Sequence, residues 1–117
     1  MRVVYVAGKF RGKNSWEIHN NVLKAEKAVV DLIGKGYAPI APHLITANLQ
    51  GLYPDKVFLD MCIDLLKKAD AIYLLKGWQD SEGSVQEWIV AQDLGMEIIF
   101  ETEEENALYF KREKKII

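Results

Sequence analysis

Residues 71–91 read AIYLL, then KGWQD, then SEGSVQEWIVA. The first part is a short apolar run typical of a β-strand, and the last part has the pattern of an amphipathic helix. The middle part is polar and contains a glycine, which favours a turn between the two elements. In open α/β sheets, ligands bind in the crevice that follows such a strand. The segment therefore predicts a strand, a turn and a helix around a ligand site.

Glu87 is the candidate catalytic residue of this segment. A carboxylate one turn into a helix lies near the positive end of the helix dipole, so we expect Glu87 to be ionised and available as a nucleophile or a hydroxyl-binding group. Ser81, Gly83 and Ser84 precede it; the glycine allows close approach of a ligand, and the hydroxyl and first-turn N–H groups can donate to a phosphate. As an alternative, Ser84 to Glu87 fits an S-x-x-E capping box with no role beyond the helix end.

Strands and helices alternate on both sides of this segment. Strand-like runs occupy residues 2–7 (RVVYVA) and 96–100 (MEIIF), and the prolines of residues 38–42 (APIAP) suggest a short edge strand. Helices are predicted from Asn14 to Gly34 and from Pro54 to about Lys68. This alternation predicts an α/β fold of the flavodoxin or Rossmann type, with three layers and a parallel sheet of four to five strands.

Two connections lie on the expected ligand side of the sheet. Gly8, Lys9, Phe10, Arg11 and Gly12 follow the first strand, where their cations can hold an anion, although a solvated basic turn is the plainer interpretation.

His43 follows the second strand, and a histidine that is simply hydrogen-bonded in a turn is the alternative to a ligand-binding one. Residues 44–54 are expected to be an irregular loop that can fold over the crevice. Cys62 falls on the apolar side of the following helix and is interpreted as core packing. Asp70, at the opposite edge of the sheet, is interpreted as structural.

The residues after the fourth strand divide into three parts. Residues 101–106 are an acidic run, residues 107–110 are predicted to form a short helix or strand, and the remainder is a charged tail.

Composition limits the classes of function. With 117 residues the chain is expected to be a single domain, 1–117, and its net charge of −2 argues against binding polymeric nucleic acid. One cysteine and two unpaired histidines argue against a disulfide framework and a metal site. No apolar run reaches the roughly 18 residues of a membrane span, and no signal-peptide pattern is seen, which predicts a cytoplasmic protein.

Three segments, taken in order, resemble the nucleoside 2-deoxyribosyltransferase superfamily, in particular its small DUF4406-type members and its deoxynucleotide N-hydrolase branch. They are VYVAGKFRG at residues 4–12, GYAPIAPH at residues 36–43, and DAIYLLKGWQDSEGSVQE at residues 70–87. Their order and spacing cover most of the chain. The resemblance implies an enzyme that cleaves or transfers the N-glycosidic bond of a nucleoside or (deoxy)nucleoside 5′-monophosphate without a cofactor.

The resemblance also implies roles for individual residues. The glutamate corresponding to Glu87 attacks the anomeric carbon of the sugar and expels the base, and Tyr5 would position it. The loop from Gly8 to Gly12 would line the base and phosphate sites, and Ser81 would donate to a phosphate. A neighbouring subunit often completes the site in this family, so a homo-oligomer is expected.

One position departs from the family pattern. The family usually has an aspartate eight residues before the strand-opening aspartate, where it helps to handle protons on the leaving base, and the chain has Cys62 there. Asp60, Asp64 or His43 are the candidates to replace it, although the two aspartates lie around the helix from Cys62. The departure favours, as the alternative function, a catalytically silent nucleotide-binding module of the same fold.

Overall fold

The computed structural model describes residues 1–102, so the sequence predictions for residues 103–117 lie outside the described part. Four strands are present: β1 (Val3–Ala7), β2 (Ala38–Ile40), β3 (Ala71–Leu74) and β4 (Glu97–Phe100). They alternate with helices α1 (Ser15–Gly34), α2 (Pro42–Thr46), α3 (Asp55–Lys67) and α4 (Glu82–Asp93), and a 3₁₀ turn spans Trp78–Asp80.

The four strands form one parallel sheet in the order β2-β1-β3-β4. The chain leaves β1 for β2 on one side and later returns to place β3 on the other, so the direction of strand order reverses between β1 and β3. In open α/β sheets this reversal opens a crevice at the carboxyl ends of the two strands. The predicted parallel sheet and the edge position of the proline-containing strand β2 are confirmed.

Alternate residues of the central strands pack against helices on opposite faces of the sheet. On one face, Val4 and Val6 of β1 pack with Ala25 and Leu32 of α1. On the other face, Tyr5 and Ala7 of β1 belong to a second apolar cluster with Leu66 of α3 and Ala91 of α4. Both faces of β1 are therefore buried, as its uninterrupted apolar sequence indicates. The resulting three-layer α/β architecture is the predicted one.

Asp70 has the structural role predicted for it. Its Oδ2 accepts a hydrogen bond of 2.8 Å from the backbone N–H of Val3. The bond joins the amino end of β1 to the residue that precedes β3. Asp70 thus helps to align the two strands whose opposite ends form the crevice.

The prediction of an irregular loop over residues 44–54 is wrong at its start, because α2 occupies Pro42–Thr46. Pro42 is at the first helical position, where its fixed φ suits the helix and its missing N–H removes no intrahelical bond. Thr46 Oγ1 also donates to the Pro42 carbonyl over 3.0 Å. Within residues 1–102, none of the helices combines the length and the apolar character that crossing a membrane would require.

Candidate active site

A cleft of about 990 Å³ opens at the carboxyl ends of β1 and β3. Its walls come from the β1–α1 loop, α2, α3 and the first two turns of α4. All the site residues predicted from the sequence line this cleft: Tyr5, Gly8, Lys9, Phe10, Arg11, Gly12, His43, Ser81, Gly83, Ser84 and Glu87. The fold thus brings together side chains from segments that are far apart in the sequence.

Glu87 is a buried carboxyl group, with 8% of its surface exposed. Burial raises its pKa to about 7, while a hydrogen bond from the Tyr5 side chain lowers the pKa and partly offsets this effect. The expectation that the helix dipole keeps Glu87 fully ionised is therefore wrong, because the loss of hydration outweighs it. A carboxyl with this pKa exchanges its proton near neutral pH.

The capping-box interpretation of Ser84 to Glu87 is also wrong. The N-cap of α4 is Ser81, whose side-chain oxygen accepts a hydrogen bond of 3.3 Å from the Ser84 backbone N–H. Glu87 accordingly lies in the second turn, too far from the helix end to cap it. The glutamate is thus not needed to satisfy the orphan donors of the helix.

The first turn of α4 presents donors on the cleft wall. The backbone N–H groups of Glu82 and Gly83 have no acceptor within the helix, since the first four N–H groups of any α-helix lack one. Ser84 is 1% exposed, and no hydrogen-bond partner for its Oγ is found among the described residues. Ser81 accepts through its oxygen and keeps its hydroxyl proton to donate. This turn is suited to bind an anionic or hydroxyl-bearing ligand.

Tyr5 connects Glu87 to Cys62. The Tyr5 side chain hydrogen-bonds with both Glu87 and Cys62, and burial next to the carboxyl raises the tyrosine pKa far above its ordinary value. Tyr5 therefore keeps its proton and donates it to the Glu87 carboxylate, while the Cys62 thiol can donate to the Tyr5 oxygen. The interpretation of Cys62 as core packing is confirmed, since Cys62 packs against the apolar cluster on this face of the sheet, and Cys62 also lines the cleft.

The β1–α1 loop is held by close packing and by side-chain hydrogen bonds. A Cβ atom at Gly8 would lie 2.6 Å from Leu75 Cδ1, so a glycine is needed where β1 ends. His43 Nε2 is 3.0 Å from the Gly8 carbonyl, to which it donates. Asn21 Nδ2 donates to the carbonyls of Phe10 (3.2 Å) and Arg11 (3.3 Å). The loop is thus anchored from both α1 and α2.

His43 is buried in α2, as well as being a cleft residue. Burial lowers the pKa of its imidazole, which keeps the ring neutral at physiological pH. Phe10 packs edge-on against the ring, with the centroids 5.8 Å apart. Both interpretations of His43 therefore hold in part: it is hydrogen-bonded to the backbone, and it borders the cleft.

Arg11 lies at the mouth of the cleft and is mostly exposed. Its Nη2 is 2.9 Å from the Oδ2 of Asp55, the first residue of α3. The pair spans the cleft mouth from the β1–α1 loop to α3. An anion that binds Arg11 must compete with this carboxylate.

Neither aspartate near Cys62 takes the place of the aspartate in the family pattern. Asp60 and Asp64 are exposed and absent from the cleft wall, and Asp60 forms an ion pair with Lys56 over 3.6 Å. Of the three candidates, His43 alone borders the cleft.

The cleft is also lined by four residues for which the sequence predicted no binding or catalytic role: Asp80, Cys62, Phe58 and Gln50. Asp80 had a usable signal, since it lies within the GWQDS turn next to Ser81. Residues 1–102 contain no group of three or more His, Cys, Asp or Glu side chains placed to hold a metal ion.

Comparisons with known proteins agree with this architecture. The profile of the family described as "Domain of unknown function (DUF4406)" matches residues 2–100. The fold is similar to the solved structure of a 2-deoxyribosyltransferase from the psychrotolerant bacterium Bacillus psychrosaccharolyticus. The TM-score is 0.61 at 20% identity, and the alignment covers 84% of this chain and 70% of that one. At this identity the likeness establishes a shared fold. No curated protein sequence matches the chain.

Proposed function

The chain belongs to the DUF4406 family and has the fold of 2-deoxyribosyltransferases, and from this premise we propose that it cleaves or transfers the N-glycosidic bond of a nucleoside or (deoxy)nucleoside 5′-monophosphate. Glu87 is the proposed nucleophile. The solved relative is described as a biocatalyst for the synthesis of nucleosides, and this description supports the substrate class. The reaction needs no cofactor, and we infer that it takes place in the cytoplasm.

The proposal rests chiefly on one observation, the buried Glu87 carboxyl hydrogen-bonded to Tyr5 in the wall of the cleft. In its ionised form the carboxylate attacks the anomeric carbon of the sugar. The C–N bond breaks and its electron pair leaves with the base, which takes a proton from solvent. A glycosyl ester on Glu87 results, and water or a second base then displaces the carboxylate. A carboxylate beside an oxocarbenium-like centre stabilises it in the same way as in retaining glycosidases.

Tyr5 has a positioning role in this mechanism. Its phenol stays protonated because it is buried beside Glu87, so it can donate to one carboxylate oxygen and leave the other to attack. The same hydrogen bond stabilises the ionised glutamate against burial. Without it, a smaller fraction of Glu87 would be charged at neutral pH.

A 5′-monophosphate is the preferred substrate in this proposal. Lys9 and Arg11 of the β1–α1 loop, together with Ser81 at the start of α4, border the same cleft and can bind a phosphate. The cleft also contains acidic side chains, including Asp55 and Asp80. A phosphate would therefore be held by these specific donors rather than by a general positive field.

The alternative is a nucleotide-binding module that retains the cleft but lacks turnover. Cys62 favours it, because a thiol with a raised pKa is a weak substitute for a carboxyl group in handling protons on the base. Incubation with a panel of nucleosides and monophosphates, followed by chromatography for free base, separates the two functions. Release of base by the wild-type protein but not by Glu87→Gln supports the enzyme. A ligand that raises the melting temperature without any base release supports the binding module.

A further inference from the structure

Cys62, Tyr5 and Glu87 form a hydrogen-bonded chain that joins three elements of the fold. Tyr5 lies on β1, Cys62 on α3 and Glu87 on α4, and the Tyr5 side chain hydrogen-bonds with both of the others. All three residues line the cleft. Because the chain ends at the proposed nucleophile, the residue at its other end can act on that nucleophile through Tyr5.

A phenol has one proton to donate, and this fixes the direction of both hydrogen bonds when Glu87 is ionised. A carboxylate only accepts, so Tyr5 donates its proton to Glu87. The Tyr5 oxygen then accepts from Cys62, which requires a protonated thiol. Burial raises the pKa of the Cys62 thiol and outweighs the hydrogen bond with Tyr5, which lowers it, while the charge of Glu87 raises it further. The thiol therefore keeps the proton that this arrangement needs.

The charged side chains around the cleft are exposed, unlike Glu87. Within residues 1–102, the other titratable groups of the cleft wall are three cations, three carboxylates and the neutral imidazole of His43. The cations belong to Lys9, Arg11 and Lys56, and the carboxylates to Asp55, Asp80 and Glu82. All six charged residues are exposed, so solvent screens them from the buried carboxyl group. The pKa of Glu87 accordingly responds to burial and to Tyr5.

We propose that Cys62 is a positioning residue that acts through Tyr5: its thiol donates to the Tyr5 oxygen and so commits the phenolic proton to the Glu87 carboxylate. The inference rests on the proposed role of Glu87 as the nucleophile. A donor at position 62 polarises the phenol, because hydrogen bonds in a chain strengthen one another where water is excluded. The stronger bond from phenol to carboxylate favours the ionised form of Glu87, which is the form that attacks.

The proposal assigns a different effect to each residue type at position 62. Serine supplies a hydroxyl donor and keeps the chain intact. Alanine removes the donor. Aspartate supplies only an acceptor, so it competes with Glu87 for the phenolic proton, and its charge also repels that of Glu87. A neutral donor at this position therefore favours ionisation of Glu87, whereas a carboxylate opposes it.

Carbon-13 NMR of the full chain with labelled glutamate measures the titration midpoint of Glu87 without substrate, and comparison with Glu87→Gln assigns its signal. We expect the midpoint to stay close to that of the wild type in Cys62→Ser. It should rise by about 0.2–0.5 pH units in Cys62→Ala and by about one pH unit or more in Cys62→Asp. In a Tyr5→Phe background, Cys62→Ala should leave the midpoint unchanged, because the thiol acts through the phenol.

Three results would overturn the proposal. The first is an equal midpoint in Cys62→Ala and Cys62→Ser, which would show that the donor at position 62 has no effect of its own. The second is a shift in Cys62→Ala that persists in the Tyr5→Phe background. The third is a midpoint in Cys62→Asp at or below the wild-type value; if that variant fails to fold, the alanine and serine variants decide the proposal alone.

The pH–rate profile gives a second readout. Its acidic limb should move in the same order as the midpoints, with serine closest to the wild type and aspartate furthest from it. If the wild-type protein releases no base from any substrate, the proposed function is contradicted. The NMR midpoints would still test the role of Cys62, so the two failures are distinguishable.

Discussion

A hydrogen bond between the Tyr5 side chain and the Glu87 carboxyl links strand β1 to helix α4, the helix that follows β3. Tyr5 is 1% exposed and Glu87 is 8% exposed, so both polar groups are withdrawn from bulk water on the protein side of an open cleft. A carboxyl group that is buried beside a neutral donor is expensive to ionise. This cost is consistent with a functional role for Glu87. It should also be seen in the pH dependence of activity and of stability.

Tyr5→Phe should move the pH dependence of base release. The pKa of Glu87 is about 7 with the tyrosine hydrogen bond in place, and loss of this bond raises it. A hydrogen bond to a charged group contributes about 1.5–3 kcal/mol, so the acidic limb of the rate profile should move upward by about 1–2 pH units. The variant should therefore lose more activity at pH 7 than at pH 9.

Tyr73→Phe is the control for that profile, because Tyr73 is buried on the other face of the sheet, in the cluster with α1. The acidic limb of the pH–rate profile of Tyr73→Phe should coincide with that of the wild type. A uniform loss of rate in Tyr5→Phe at every pH would mean that Tyr5 only supports the structure.

Glu87→Gln should change the pH dependence of stability. Burial raises the pKa of Glu87 in the folded protein to about 7 from its ordinary value of 4.5. Between these two pH values the folded state therefore retains a proton that the unfolded state loses. Below about pH 4.5 both states are protonated, and stability is lost as the pH rises toward 7. Two and a half pKa units correspond to about 3 kcal/mol.

Glutamine imitates the neutral carboxyl group and does not titrate. The free energy of unfolding of the variant should therefore rise by about 3 kcal/mol relative to that of the wild type between pH 4 and pH 8. Urea unfolding at both pH values measures this difference. Glu82→Gln, which replaces an exposed carboxylate in the first turn of the same helix, provides the control. If the difference in free energy of unfolding between Glu87→Gln and wild type stays constant with pH, the pKa of Glu87 is not raised by folding and this prediction is contradicted.

Gly83→Ala separates the stability of α4 from ligand binding. The nearest atom to a Cβ at Gly83 is Ser81 Oγ at 4.0 Å, so alanine fits the protein, and the unliganded variant should be more stable by up to about 1 kcal/mol. If the ligand lies against this turn, its affinity should fall.

Gly8→Ala is the contrasting substitution at the other end of the cleft. Its Cβ would lie 2.6–2.9 Å from three side-chain atoms of the buried Leu75, which should destabilise the fold by about 1–3 kcal/mol. Thermal unfolding with and without a monophosphate measures both variants. Unchanged affinity in Gly83→Ala would place the ligand away from the turn.

Asp55→Asn should strengthen the binding of monophosphates. Both side chains of the Arg11–Asp55 ion pair are exposed. Exposed ion pairs contribute at most about 1 kcal/mol, so releasing Arg11 should raise the affinity for a monophosphate by up to about fivefold. Calorimetric titration should show little change for the matching nucleoside. Asp60→Asn, a carboxylate on the same helix but outside the cleft, should leave both affinities unchanged. An equal gain for nucleoside and monophosphate would remove Arg11 from the phosphate site.

The parallel sheet, the edge position of β2 and the position of the cleft are accessible from the sequence. β1 and β3 are apolar on both faces, as only a central parallel strand requires, and each is followed by a polar, glycine-containing turn. Since carboxyl ends of parallel strands meet at one edge, residues after these strands are brought together without knowledge of their packing.

Other features depend on contacts that local pattern cannot encode. Helix α2 has five residues, too few for a hydrophobic period to be recognised. Ser81 rather than Ser84 is the N-cap of α4 because the 3₁₀ turn at Trp78–Asp80 ends directly before Ser81. The raised pKa of Glu87 results from burial beside Tyr5, a residue on another strand. Likewise, the Arg11–Asp55 pair joins two segments that are far apart in the sequence and carry no local pattern that pairs them.

Covalent trapping of the sugar on Glu87 tests the proposed nucleophile most directly. The protein is mixed with a (deoxy)nucleoside 5′-monophosphate that releases base, the reaction is quenched in acid, and intact and proteolysed protein are weighed by mass spectrometry. We predict one added sugar phosphate per chain, located on the peptide that contains Glu87, and no adduct on Glu87→Gln. Base release by Glu87→Gln at the wild-type rate, or an adduct on a different residue, would contradict the assignment of Glu87 as the nucleophile.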